Sequence, residues 1–356
     1  MGLRVYLMPA TPDTDAACVA RLKMIGVQPI PAPQSKADWR HLQTLAASLD
    51  FVWLCRPLVA VRFMDFFRRH STAQVQYYAV DLHYVREARR YQLTGRWSHW
   101  LRSRIFQSIE QSVIATSDAV LCLSHEELSI LSKSDVAGAK LRWVPPHVSR
   151  PKASSGIVTS TGSATSDVLF VGNFRHAPNE DAVQWMLQDV WPRVRKALPT
   201  ARLHIVGANP PPWLRELQAA DVQLHHGISD EALTALYCQA AVAVAPLRYG
   251  AGVKGKVLEA MEHGVPLVST SIGLEGLPDF AALPAPCDDA ASFATALVQL
   301  ADDQVHAIEV ARQQREYLER HFSSSAVREQ LVNVLAGPAA HTTGIRRPTR
   351  RARSTV

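Results

Sequence analysis

A chain of 356 residues, 47% apolar and 20% charged, is long enough for two domains with a core each and has the balance of a globular protein. No apolar run approaches the roughly 18 residues of a membrane span. The best candidate, Phe51 to Phe67, is interrupted by Arg56 and Arg62. The start of the chain has too short an apolar run for a signal peptide. The net charge of +6 is local: Arg346, Arg347, Arg350, Arg351 and Arg353 lie between Gly337 and Val356 with no acid among them, so the remainder is near +1. A body without a basic stripe is not expected to bind nucleic acid. Cys18, Cys55, Cys122, Cys238 and Cys287 are odd in number and never spaced as CxxC. They predict buried free thiols, no disulfide framework and no zinc site, in a reducing cytoplasm.

In chain order, a first strand is expected at Leu3–Met8. Helical periodicity follows over Ala37–Leu49, a strand at Phe51–Leu54 and a helix over Leu58–Arg69. Val75–Val80 predicts a strand and the stretch from Tyr84 to Thr116 one long helix. A strand at Ala119–Leu123, a helix over Glu126–Lys133 and a strand at Leu141–Val144 complete this half. Pro151 to Ser166 is rich in Ser, Thr and Gly, the composition of a linker. The alternation then restarts, with strands at Val168–Val171, Arg202–Val206, Val222–His225, Ala241–Ala245 and Pro266–Ser269. Helices are expected over Asn179–Ala197, Pro212–Ala219, Asp230–Ala240 and Val253–His263, and beyond Asp288 the pattern is helical to about Leu335.

Strands alternating with helices predict an α/β protein with mostly parallel sheets. Its expected parts are a domain over 1–150, a linker over 151–166, a second domain over 167–336 and a basic tail over 337–356. Two such domains face each other across a cleft, and the loops after strands are where ligands bind.

Three loops could carry chemistry. The stretch "LRYGAGVKGKVLEAM" from Leu247 contains Gly250-x-x-x-x-Gly255-Lys256, the opening of a phosphate loop. Val257 stands where a phosphate loop needs the Ser or Thr that ligates magnesium. Glycine backbone, Lys254, Lys256 and a helix N-terminus suit a diphosphate without a metal. Glu259, on the face of Lys256, could accept bonds from ribose hydroxyls. The alternative is a glycine turn capping a core helix, with its lysines in solvent. In "DVLFVGNFRHAPNEDAVQWM", Gly172 would let the backbone approach a phosphate and Arg175 could pair with it; an ordinary strand-to-helix loop reads equally well. In "YYAVDLHYVREARR", Asp81 and His83 end a strand at the cleft and form a candidate acid–base pair, against a purely structural histidine.

Taken together and in order, these stretches, with "RLHIVGANPP" and "HHGISDEAL" between them, resemble the family 4-type retaining glycosyltransferases of the GT-B fold (glycosyl transferases group 1). The likeness runs from Leu3 to Leu335 and is more specific in the second half. It implies two Rossmann-like domains, the first binding an acceptor and the second a nucleotide-diphosphate sugar. By position it implies donor-binding roles for Gly172, Asn173, Arg175, Gly207, Tyr249, Gly252, Val253, Lys254, Lys256 and Glu259. It puts His83 near the transferred sugar, which makes the Asp81–His83 pair the expected catalytic residues; it adds terminal helices to the second domain, the last expected to return to the first, and no metal or other cofactor. Two departures stand out. The first glutamate of the family's E-x7-E motif falls on Ala251, and "MPATPDTDAACV" lacks the Gly-Gly loop that follows the first strand.

The implied reaction is metal-independent transfer of a hexose to an acceptor hydroxyl with retention, in polysaccharide or other glycoconjugate synthesis. The implied partners are a nucleotide sugar and a glycan or lipid-linked acceptor. The basic tail adds the inner face of the cytoplasmic membrane as a candidate surface. The alternatives are a non-catalytic nucleotide-sugar-binding partner protein on the same scaffold and a sugar-nucleotide epimerase.

Overall fold

The computed structural model describes residues 2–12, 16–133, 140–146, 166–279 and 283–335. Nearly all of the expected linker and the whole basic tail lie outside these residues.

In the first domain β1 (Tyr6–Leu7) pairs in parallel with β2 (Gln28–Pro29) around α1 (Ala16–Met24). The strand expected at Leu3–Met8 is thus only two residues long, and its partner escaped the sequence pattern because Gln28–Pro29 is too short to show periodicity. After α2 (Lys36–Ala46) come β3 (Phe51–Cys55), α3 (Pro57–His70), β4 (Gln74–Ala79), α4 (His83–Thr94), α5 (Trp97–Thr116), β5 (Ala119–Cys122), α6 (His125–Ser132) and β6 (Leu141–Trp143). The order β3-β4-β5-β6 is parallel throughout. Val75, Tyr77, Val120 and Leu121 are fully enclosed, as strands covered on both faces must be. The helix expected from Tyr84 to Thr116 is two helices. Gly95 takes the left-handed conformation at φ 66° and caps α4 through its N–H to the Tyr91 carbonyl, the usual helix stop.

The second domain contains β7 (Val168–Val171), α7 (Ala177–Trp185), α8 (Trp191–Ala197), β8 (Leu203–Val206), α9 (Pro212–Arg215) and β9 (Val222–His225). It continues through α10 (Asp230–Gln239), β10 (Val242–Ala245), α11 (Gly255–Glu262), β11 (Leu267–Ser269) and α12 (Ser271–Leu274). One widened π-helical turn, Met186–Val190, joins α7 to α8. It precedes Pro192, which has no N–H to donate and would crowd the carbonyl four residues back. The helix expected to begin at Val253 begins at Gly255, and α9 ends four residues earlier than the expected helix. The parallel strand order is β9-β8-β7-β10-β11. Between β7 and β10 the direction of strand addition reverses, which opens a crevice at the carboxyl ends of both strands.

Three helices close the described chain: α13 (Ala290–Asp302), α14 (Gln304–Phe322) and α15 (Ser324–Leu335). Phe293 of α13 is fully buried and meets Trp185 edge-on, 5.5 Å between centroids. Val334 and Leu331 of α15 pack with Ala119, Leu121 and Val144 of the first domain. All five cysteines are free, yet only Cys122 is buried; Cys18, Cys55 and Cys238 are exposed. Apolar neighbours in sequence did not guarantee burial, because alternate residues of a strand such as β3 face opposite ways.

Candidate functional site: a cleft between the two domains

The crevice between β7 and β10 faces the carboxyl ends of β3 and β4, and a cleft of about 220 Å³ lies between them. Its second-domain wall is built around Lys256, in the first turn of α11. The Lys256 ammonium donates to Asn179 Oδ1 at 2.6 Å and sits 4.2 Å from the centroid of the Phe170 ring. Asn179 is fixed in turn by its amide, which donates to the Asn173 carbonyl at 2.7 Å. Gly172 leaves the room for this pair: a Cβ there would lie 2.9 Å from Lys256 Nζ and from Asn179 Cγ. Among the described residues no carboxylate pairs with Lys256. Burial, and then the Lys254 charge, push its pKa down to about 7, with Glu259 opposing. Burial disfavours the charged form of this amine, and a negative charge placed beside it would restore that form.

Lys254 precedes α11 and leaves the helix without a side-chain cap; Gly255 and Lys256 of its first turn line the cleft, while the Val257 N–H donates to the Lys254 carbonyl at 2.9 Å. The Lys254 ammonium is shared between the Gly252 carbonyl and Glu275 Oε2, the latter at 3.4 Å. Burial lowers its pKa, against the pull of Glu275. Gly252 has φ 73°, and a Cβ on it would stand 2.7 Å from the Val80 carbonyl oxygen of the first domain. Here the two domains touch through a residue that only glycine can be. Tyr249 is buried beneath the Arg90 guanidinium, 5.7 Å from its ring centroid.

The first-domain wall centres on Asp81, which lines the cleft after β4. Asp81 Oδ1 lies 3.3 Å from His83 Nε2, and Oδ2 takes an ion pair from Arg86. Burial raises the Asp81 carboxyl, but the His83 hydrogen bond and the Arg86 charge outweigh it and hold the pKa below the ordinary value. His83 stands behind Asp81 and is not itself part of the cleft lining. Its ring packs edge-on to Phe106, 5.0 Å between centroids, and its Nδ1 is buried without a partner. The helix it opens is capped from a distance: Glu110 of α5 accepts from the His83 N–H at 3.0 Å and the Tyr84 N–H at 3.1 Å. Burial raises Glu110 to about 7 against those two bonds.

The remaining sequence-derived candidates lie around this core. Gly207 abuts the Gly172 carbonyl, 1.9 Å from where a Cβ would stand, and Val253 packs against Gly276. Asn173 accepts from the Arg175 N–H at 3.0 Å, while Arg175 itself is exposed and outside the cleft lining. Glu259 is half-buried one turn below Lys256. It is hydrogen-bonded to Tyr237, and burial raises its pKa. Among the described residues no group of three His, Cys, Asp or Glu side chains could hold a metal ion.

The structure adds residues that sequence reasoning did not select. Arg56 follows β3 at φ 71° and faces the cleft, as do Arg86, His176 and Asn179. Burial, then the Arg86 charge, lower the His176 pKa. Asn179 had a local signal in "HAPNED", a polar residue just inside a helix start. Arg56 had none.

Residues 165–303 match the sequence model of the family Glycosyl transferases group 1. Over 178 residues the chain is 32% identical to an uncharacterized 44.6 kDa protein in the cps region of Klebsiella pneumoniae. That alignment spans 48% of this chain and 44% of the relative, less than half of each. Among solved structures, Anabaena HepE in complex with UDP-glucose superposes with a TM-score of 0.69 at 11% identity, covering 94% of this chain and 99% of HepE. Sucrose-phosphate synthase from Thermosynechococcus elongatus superposes with a TM-score of 0.65 at 18% identity, covering 84% and 76%. At such identities the likeness speaks for the fold alone. The second domain thus matches the glycosyl transferases of group 1, and the fold of the chain is GT-B.

Proposed function

We propose that the protein transfers a hexose from a nucleoside-diphosphate sugar to an acceptor hydroxyl, with retention of configuration and without a metal ion. The observation that carries this reading is Lys256, a largely enclosed amine that pairs with no carboxylate among the described residues, at the point where strand order reverses. A donor diphosphate would supply the negative charge, bridging Lys256 and the first N–H groups of α11. Glu259, one turn further, would meet the ribose.

When the bond from the sugar C1 to the β-phosphate oxygen breaks, negative charge grows on that phosphate. The fixed cation and the helix N–H groups stabilise it more than they stabilise the bound donor. The acceptor oxygen forms its bond to C1 on the same face, and its proton passes to the departing phosphate oxygen. Asp81, held ionised and facing the cleft, would orient the acceptor hydroxyl, with His83 and Arg86 fixing its carboxylate. His83 and Asp81 thus act together on the acceptor side, and Gly172, Asn173, Gly252 and the two lysines on the donor side. Synthesis of a polysaccharide or related glycoconjugate is the setting that fits, on a glycan or lipid-linked acceptor in the cytoplasm. A relative encoded in a cps region supports that setting. Among the described residues no helix is long and apolar enough to cross a membrane.

One observation favours a second reading, a nucleotide-sugar-binding partner without turnover. Ala251 lines the cleft where the family resemblance places a carboxylate that meets the sugar. Incubation with a panel of radiolabelled nucleotide sugars and a lipid-linked acceptor separates the two. Release of free nucleoside diphosphate coupled to labelled acceptor is expected. Tight donor binding with no release would overturn the enzyme reading in favour of the binder.

A further inference from the structure

Helix α5 carries an outer apolar face that no described part of the protein buries. Toward the core it presents His99, Ser103, Glu110, Val113 and Ile114, all buried. At 3.6 residues per turn the opposite face carries Trp97, Trp100, Leu101, Arg104 and Ile105. Those side chains stand in solvent, Trp97 71% exposed, Trp100 and Ile105 each 51% and Leu101 42%. Two tryptophans and two aliphatic residues grouped on one helical face are not the scattered apolar residues of an ordinary surface.

The charge carried by this stretch of chain has one sign. From Ala88 to Ile109 the chain contains no acidic residue. Arg96, Arg102 and Arg104 are exposed and, among the described residues, none of them is ion-paired. The acids that flank the stretch are turned inward, Glu87 to His99 Nδ1 at 3.0 Å and Glu110 to the start of α4. A self-complementary contact between two copies would set arginine against arginine. The chain's own tail, with five arginines and no acid, is repelled for the same reason. An apolar helical face with interfacial tryptophans and a rim of arginines matches a surface that is greasy beneath and anionic on top.

We infer that the outer face of α5 docks the protein on an anionic lipid bilayer. The placement relative to the cleft suits a membrane-borne acceptor. The inner side of the same helix touches the acceptor-side machinery: Phe106 packs on His83, and Ser103 Oγ donates to the Tyr84 carbonyl at 2.8 Å. One helix thickness, about 10 Å, separates the docking face from the start of α4. The docking surface itself does not depend on sugar transfer.

The test uses the full chain, tail included, and vesicles of phosphatidylcholine alone or mixed with phosphatidylglycerol. Sedimentation with the mixed vesicles at low salt is expected, with little on phosphatidylcholine alone. Trp97→Ser/Trp100→Ser and, separately, Arg102→Glu/Arg104→Glu should each lower the partition coefficient by about tenfold or more. Unaltered UDP binding and thermal melting in these variants would show an intact fold. Three results would overturn the inference: a parent protein that ignores anionic vesicles, variants that bind them as the parent does, or a parent dimer that the tryptophan substitutions dissociate. The second would assign the membrane to the basic tail, the third the face to a protein partner.

Discussion

Arg89 of the first domain grips Glu275 of the second in a two-pronged ion pair, Nη1 to Oε2 at 2.7 Å and Nη2 to Oε1 at 2.6 Å. The same guanidinium donates to the Gly250 carbonyl at 2.7 Å, and Glu275 also receives Lys254. The loop after β10 is therefore held from the first domain by one planar fork. Arg89→Ala is expected to lower kcat/KM for transfer by about tenfold, and Glu275→Ala by a similar factor. Because both remove one shared unit, the double variant should be no worse than either single one. Additive losses in steady-state kinetics would show that the pair does not act as a unit.

Lys256→Ala should weaken UDP binding by more than about tenfold, read by titration calorimetry. The pH dependence has a definite sign. The free ammonium is depressed to about 7, and a bound diphosphate raises it again. Affinity should therefore fall as pH rises above about 7, with up to one proton taken up per UDP bound. Heats that do not vary between buffers of different ionisation enthalpy would place the diphosphate elsewhere.

Asp81→Asn and His83→Ala are expected to cut transfer by about a hundredfold or more while leaving the UDP dissociation constant within about twofold. That split follows from their place on the wall opposite Lys256. A matching loss of UDP affinity would move them into the donor site.

Glu127, in the first turn of α6, is 3% exposed, and among the described residues neither of its carboxylate oxygens has a hydrogen-bond partner. Burial raises its pKa from 4.5 to about 8. The folded state thus holds a proton that the unfolded state releases, so this residue costs nothing below about pH 4.5. Its cost grows until the pH passes about 8. Glu127→Gln, isosteric with the protonated acid, should leave stability nearly unchanged near pH 5 and raise it by about 2–4 kcal/mol near pH 9. Denaturant unfolding at the two pH values measures the difference.

Most of the fold was legible because its signals are local. β4, β5, β7 and β10 are apolar runs bounded by turn residues, and the Gly250–Lys256 loop stands out through residue types a few positions apart. The break at Gly95 was equally local, a glycine inside a helical period, and reading through it merged α4 with α5. What no local pattern carries is pairing at long range. Glu275 meets Arg89 across 186 positions, and Asn179 meets Lys256 across 77. Arg56 presents a conformation, not a composition: a non-glycine residue at φ 71° beside a cleft, strain that only the folded loop reveals. His83 illustrates the limit from the other side. The residue pair was visible, but that Asp81 faces the cleft with His83 behind it depends on Phe106, on another helix.

Gly252 bears on how the two substrates communicate. Its backbone belongs to the loop that would hold the donor and lies close against the Val80 carbonyl and Asp81, so a shift of one wall toward the other presses directly on it. Two ligands that share a wall must influence each other, and thermodynamics makes the influence mutual: whatever factor the donor applies to acceptor affinity, the acceptor returns to the donor. Gly252→Ala, a methyl wedge in that joint, should drive this coupling factor toward unity in paired titrations, leaving two half-sites that each bind but no longer hear one another.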